Sequence, residues 1–133
     1  MNKLNGKIEG ITSGSPYASY EISLATGDSM AAIAPSFSGR VCHKAGDTVE
    51  IFFDELDVVL AKSFSGETTI KKKFMGVVKR VESDAATTRV VLDYKGTLVA
   101  ALVRTSSWQA LGFTVGDDVN WFIKATRVNV GIL

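Results

Sequence analysis

The chain has a single cysteine, Cys42, among its 133 residues, so it has no internal disulfide and no cysteine-based zinc centre. Its one histidine, His43, stands beside that cysteine, and with no second His or Cys neither a metal site nor a Cys–His nucleophile can be assembled. An excess of charge of either sign is also missing: 15 basic residues face 14 acidic ones, for a net charge of +1. That balance argues against a broad nucleic-acid-binding face, while leaving room for a local positive site. No apolar run approaches the ~20 residues of a membrane helix. The opening Met1-Asn2-Lys3-Leu4-Asn5-Gly6-Lys7 lacks an apolar h-region, so no secretory signal is expected and the cytoplasm is the simplest compartment. Neither a Gly-rich phosphate loop nor a nucleophile elbow is present. Asp54, Glu55 and Asp57 lie close together without a histidine partner, so acid–base catalysis and catalytic residues are not expected. With 46% hydrophobic and 22% charged residues, the chain can still bury a core.

What the sequence does contain is a repeat. Leu4-Asn5-Gly6-Lys7-Ile8 aligns with Phe74-Met75-Gly76-Val77-Val78, and Ala32 to Ser38 with Ala101 to Ser107. Gly46-Asp47-Thr48-Val49 aligns with Gly116-Asp117-Asp118-Val119, and Leu56 to Leu60 with Thr126 to Val130. Four blocks hold one order at an offset of about 70 residues, which chance does not produce. The division follows as repeat 1 over 1–62, a linker over 63–68 and repeat 2 over 69–133.

Each repeat reads as short strands with β-branched, aromatic or alternating residues. In repeat 1 these are Lys7 to Ile11, Ser19 to Leu24, Ser29 to Ala34, Thr48 to Phe53 and Asp57 to Leu60. In repeat 2 they are Gly76 to Val81, Thr88 to Leu92, Thr97 to Val103, Asp118 to Lys124 and Arg127 to Val130. Ser106 to Phe113 suits one short helix, with Ser106 or Ser107 as N-cap and Gly112 just past its end. The expected fold is all-β: two tandem OB-like five-stranded barrels, each with one short helix.

These pieces together resemble a known family. Phe74, Gly76 and Val78, then Ala101 to Ser107, then Gly116-Asp117-Asp118-Val119, then Lys124-Ala125 ahead of Val128 are similar to the Mop (TOBE-like) molybdate-binding domain. Two copies with nothing else resemble the stand-alone di-Mop proteins. The resemblance implies a cytoplasmic protein for molybdenum homeostasis, storage or delivery. It implies molybdate or tungstate as ligand, no organic cofactor, and a homo-oligomer, with a trimer favoured. The family's opening Ser-Ala-Arg-Asn becomes Thr69-Ile70-Lys71-Lys72 in repeat 2, and only Asn2 survives of it in repeat 1. Its Lys-Ala pair is Lys124-Ala125 in repeat 2 but Asp54-Glu55 in repeat 1. Its mid-module Thr is Arg104 in repeat 2 and Pro35 in repeat 1.

A tetrahedral dianion sheds hydration on binding, so it needs several N–H or O–H donors and some positive charge. Carried over residue by residue, the resemblance implies an oxyanion site from Thr69, Lys71, Arg104, Lys124, Ala125 and Thr126, and the residues nearby add the hydroxyls of Ser107 and Thr105 to the donors. In repeat 1 the carboxylate of Asp54 would repel a dianion. Plainer readings stand beside this one. Lys71-Lys72-Lys73 also suits a solvated start of a strand. Arg104 and Lys124 also suit exposed cross-strand partners of Asp117 or Asp118. Trp108 and Trp121 read as core or subunit-contact residues, and Phe52, Phe53 and Phe64 as covers for strand edges. The competing functions are a degenerate TOBE-like regulatory or assembly module without an anion and, behind it, an OB-type nucleic-acid binder.

Overall fold

A computed structural model describes every residue except Phe64, Glu67, Lys71 and Leu133, and of Ile132 only the backbone. All ten expected strands form: β1 (Asn2–Thr12), β2 (Tyr17–Leu24), β3 (Ser29–Pro35), β4 (Thr48–Phe53) and β5 (Val59–Ala61), then β6 (Phe74–Ser83), β7 (Thr87–Tyr94), β8 (Thr97–Arg104), β9 (Asp118–Phe122) and β10 (Asn129–Ile132). They make two curled five-stranded sheets, ordered β10-β4-β1-β2-β3 and β5-β9-β6-β7-β8. The order carries the main surprise. The last strand of repeat 1, β5, pairs antiparallel with β9, Leu60 opposite Trp121. The last strand of repeat 2, β10, pairs with β4, Val130 opposite Ile51. One compact unit therefore comprises residues 1–2 and 54–123, and the other 3–53 and 124–133. Sequence repeat and compact unit divide the chain at different places.

Within each unit the repeated motifs do matching structural work. In β1, buried Asn2, Leu4, Gly6 and Ile8 alternate with exposed Lys3, Asn5, Lys7 and Glu9, the period of a strand with one face in a core. Register slips between Ile8 and Gly10 against β2, and at the matching place between Val78 and Arg80 against β7. The backbone at those slips is held by the Gly-Asp motif. Gly46 N–H donates to Ile8 O (2.7 Å) and Ile8 N–H to Asp47 O (2.9 Å). Gly116 and Asp117 do the same for Val78, at 2.8 and 2.9 Å. Both glycines sit at positive φ, 97° and 95°, where a Cβ is strained. The motif is thus accounted for by turn geometry.

The two cores differ in content. In the unit of residues 54–123, Trp121 stacks on Phe74 (centroids 4.6 Å apart) and meets Tyr94 edge-on at 5.0 Å. The matching positions in the other unit are the aliphatic Ile51, Leu4 and Leu24, all buried. Burying a ring or branched side chain of this kind contributes about 1.5–3 kcal/mol each. Trp108, at 6% exposure, is also core. Phe53 is fully buried and Phe52 half-buried, while Phe64 lies outside the described residues.

Several local expectations are corrected. Among the described residues an α-helix forms only in repeat 2, α1 (Thr105–Leu111). In repeat 1 the matching stretch turns back on itself through a Phe37–Arg40 bridge, because Ser38 and Gly39 take positive φ and cannot continue a helix. The N-cap of α1 is Arg104 rather than Ser106 or Ser107, and Gly112 ends it as expected. Asp57 and Arg127 do not begin strands; each ends a short 3-10 turn, Glu55–Asp57 and Ala125–Arg127. Strand β9 stops at Phe122, so Lys124 opens the second of these turns.

Candidate functional site

The two 3-10 turns are counterparts by sequence and by backbone. In the first, Asp57 N–H donates to Asp54 O at 3.0 Å; in the second, Arg127 N–H donates to Lys124 O at 2.9 Å. Residues 54 and 124 both have extended backbone, ψ 141° and 137°. The exchange of final segments decides what each turn packs on. The first turn, from repeat 1, lies against β8 of repeat 2. The second turn, from repeat 2, lies against β3 of repeat 1.

Their chemistry is opposite. The first turn carries Asp54, Glu55 and Asp57; the second carries Lys124, Ala125 and Arg127 at the same places. Asp54 Oδ1 accepts the N–H of Leu56 at 2.9 Å, capping its own turn. The second turn has no side-chain cap, since a lysine ammonium has no acceptor to offer. Its N-terminal end therefore presents backbone N–H groups next to an exposed ammonium, the donor set a small oxyanion uses.

The expected site residues fall into two groups. Thr69, Arg104 and Ser107 belong to the unit of residues 54–123, and all three are exposed. Lys124, Ala125 and Thr126 belong to the other unit, with Lys124 and Thr126 exposed and Ala125 half-buried. Lys71 lies outside the described residues. Arg104 ends β8 opposite Thr87, and Ser107 lies in the first turns of α1. Together with Leu56, Leu102, Trp108 and Leu111 they line an open groove of about 320 Å³. Thr105 is not available to a ligand: it is buried, its hydroxyl donates to Asp84 O at 2.8 Å, and it meets the Thr88 hydroxyl at 2.9 Å. The Asp117 carboxylate accepts the Thr114 N–H at 2.8 Å inside its own turn.

One pair was not foreseen. Arg89 Nε donates to Glu55 Oε1 at 2.9 Å and Arg89 Nη2 to Oε2 at 3.2 Å, a two-pronged ion pair on the first turn. Hydrogen bonding to Glu55 holds the guanidinium even more firmly in its charged form. The two residues come from different repeats, so nothing in the linear order connects them. The only trace is an asymmetry of the alignment, in which Arg89 and Glu55 stand opposite Ser19 and Ala125.

The unit of residues 3–53 and 124–133 also holds a pocket of about 300 Å³, lined by Tyr20, Pro35, Phe37, His43, Phe52 and Val128 among others. The Tyr20 hydroxyl lies 3.0 Å from His43 Nδ1. Burial, then the nearby Cys42 and Asp47, pushes the Tyr20 phenol above its usual range, so it remains protonated. Among the described residues no group of three or more His, Cys, Asp or Glu is placed to hold a metal ion. No described helix is long and apolar enough to cross a membrane.

Residues 68–130 match the model of the TOBE domain. A solved structure of the cytoplasmic molybdate-binding protein ModG, in a PEG-grown form with molybdate bound, superposes with a TM-score of 0.92. It is 27% identical in sequence, over 99% of this chain and 96% of that one. No curated protein sequence matches significantly.

Proposed function

We propose that this chain, a Mop/TOBE-type protein, binds molybdate. The observation that carries the reading is the end-to-end likeness to ModG, whose structure was solved with molybdate bound. The anchor of the anion is the turn opened by Lys124: the ammonium supplies charge, and the N–H groups of Ala125 and Thr126 supply directed donors. Charge-assisted hydrogen bonds of this kind are about twice as strong as neutral ones, which is what an anion leaving water requires. Thr69, Lys71, Arg104 and Ser107 are the further candidates, of which Arg104 brings the second cation.

Tungstate, with the same charge and shape, is the expected second ligand, and no organic cofactor is called for. The role that fits is homeostasis, storage or delivery in the cytoplasm, as a binding protein rather than an enzyme. Self-association, with a trimer favoured by the family resemblance, belongs to the same proposal. Light scattering on the purified chain tests it.

Isothermal titration with molybdate, tungstate and sulfate decides the function. Molybdate and tungstate should bind, with sulfate much weaker because its smaller tetrahedron does not reach every donor. Flat titrations with all three would overturn the proposal and leave the assembly module as the reading.

A further inference from the structure

We infer that the first-repeat turn carries its own anion, so that Asp54 and Glu55 fill the donors an oxyanion would take there and binding is confined to the second-repeat turn. The inference rests on the oxyanion-binding reading above and specifies which turn serves it.

The argument starts from the equivalence of the turns. At the first, the Leu56 N–H is already accepted by Asp54 Oδ1 at 2.9 Å. At the second, the matching N–H belongs to Thr126 and has no side-chain cap from Lys124. At the first, a guanidinium is present, but both prongs of Arg89 rest on the Glu55 carboxylate at 2.9 and 3.2 Å. At the second, Ala125 stands in place of Glu55 and Ser19 in place of Arg89, so the Arg89–Glu55 pair has no counterpart at those two positions. The first turn thus has an anion's donors and, already on them, two carboxylates of its own.

Competition favours the tethered groups. Asp54 is held a few bonds from the Leu56 N–H and Glu55 is held on Arg89 by the fold, so each acts at an effective concentration of about millimolar or more. The ion pair is also partly withdrawn from water, with side-chain exposures of 36% for Arg89 and 23% for Glu55. A dianion approaching this turn would meet the carboxylate of Asp54, whereas at the other turn it meets the exposed ammonium of Lys124. The segment exchange matters here. It places the acidic turn of repeat 1 against β8, next to the strand β7 that carries Arg89, and so pairs that cation of repeat 2 with a carboxylate of repeat 1.

Crystals of the full chain soaked in sodium tungstate, with anomalous diffraction at the tungsten edge, test the inference. The expected result is density beside Lys124, Ala125 and Thr126 and none beside Asp54, Glu55 and Leu56. The D54K/E55A double variant, which gives the first turn the residues of the second, should then raise tungsten bound per chain by roughly twofold, as a repelling site becomes an attracting one. Wild-type density at both turns would overturn the inference while leaving molybdate binding intact. Density at the second turn with no gain in D54K/E55A would also overturn it, since the carboxylates would not be what excludes the anion. Tungstate at neither turn would overturn the function and the inference together. The wild-type soak stands alone if the double variant does not fold.

Discussion

The Asn2 carboxamide binds both backbone groups of Ala100: its Nδ2 donates to Ala100 O at 2.9 Å, and its Oδ1 accepts the Ala100 N–H at 2.8 Å. Asn2 is the one residue of the family's opening motif that repeat 1 retains, and this contact gives it a structural task. Both partners are buried, and the pair completes hydrogen bonds on β8 that no strand supplies there. Its repeat 2 counterpart, Lys72, is exposed.

Asn2→Ala should leave the Ala100 N–H and C=O without these partners and destabilise the protein by about 1–3 kcal/mol. Urea unfolding monitored by tryptophan fluorescence reads the loss. An unchanged midpoint would mean that water replaces the carboxamide at no cost.

The repeated glycines predict a graded effect. A Cβ at Gly6 would lie 2.7 Å from Ile22 Cγ2 and 2.9 Å from Ser23 O, whereas at Gly76 its nearest neighbour is Leu92 Cβ at 3.1 Å. Gly6→Ala should therefore cost about 1–3 kcal/mol, the usual range for overpacking, and Gly76→Ala less. Equal thermal shifts for the two variants would contradict this ordering.

Lys124→Ala should weaken molybdate binding by about 1.5–3 kcal/mol if the ammonium makes a charge-assisted bond to the anion. That is roughly a ten- to hundred-fold rise in Kd. Calorimetric titration of the variant checks it, and an unaltered affinity would remove Lys124 from the site.

Tyr20 sets an alkaline limit. Its phenol is raised above the ordinary tyrosine value of 10.0 chiefly by burial, so the folded protein favours the protonated form more than the unfolded chain does. The stability this contributes is complete below pH 10 and is lost as pH rises through the folded-state value. Wild-type stability should accordingly fall above about pH 10, and Tyr20→Phe should fall less steeply over that range. Identical profiles would show that Tyr20 is not the group responsible.

Much of the molecule was legible in the linear order. The residue pattern marked all ten strands, and the 70-residue offset aligned the Gly-Asp turns that the structure shows holding matching bulges at Ile8 and Val78. Local steric and hydrophobic rules are written residue by residue, so a sequence displays them. Other features were hidden. The helix of repeat 1 fails because Ser38 and Gly39 adopt positive φ, and the turns at Asp57 and Arg127 precede strands whose residues alone look continuous with them.

The sequence by itself determined the duplicated all-β pattern, the approximate positions of its strands and Gly-Asp turns, and the opposite charge of the equivalent segments 54–57 and 124–127. Only the tertiary structure decided that β5 joins the sheet of β9 while β10 joins that of β4, and with it that Glu55 meets Arg89. The physical reason is that Val59-Leu60-Ala61 and Asn129-Val130-Gly131 are both short extended segments able to hydrogen-bond to either exposed strand edge. Backbone pairing is indifferent to which repeat supplies it, so the choice is made by packing across the whole chain and leaves no local signature.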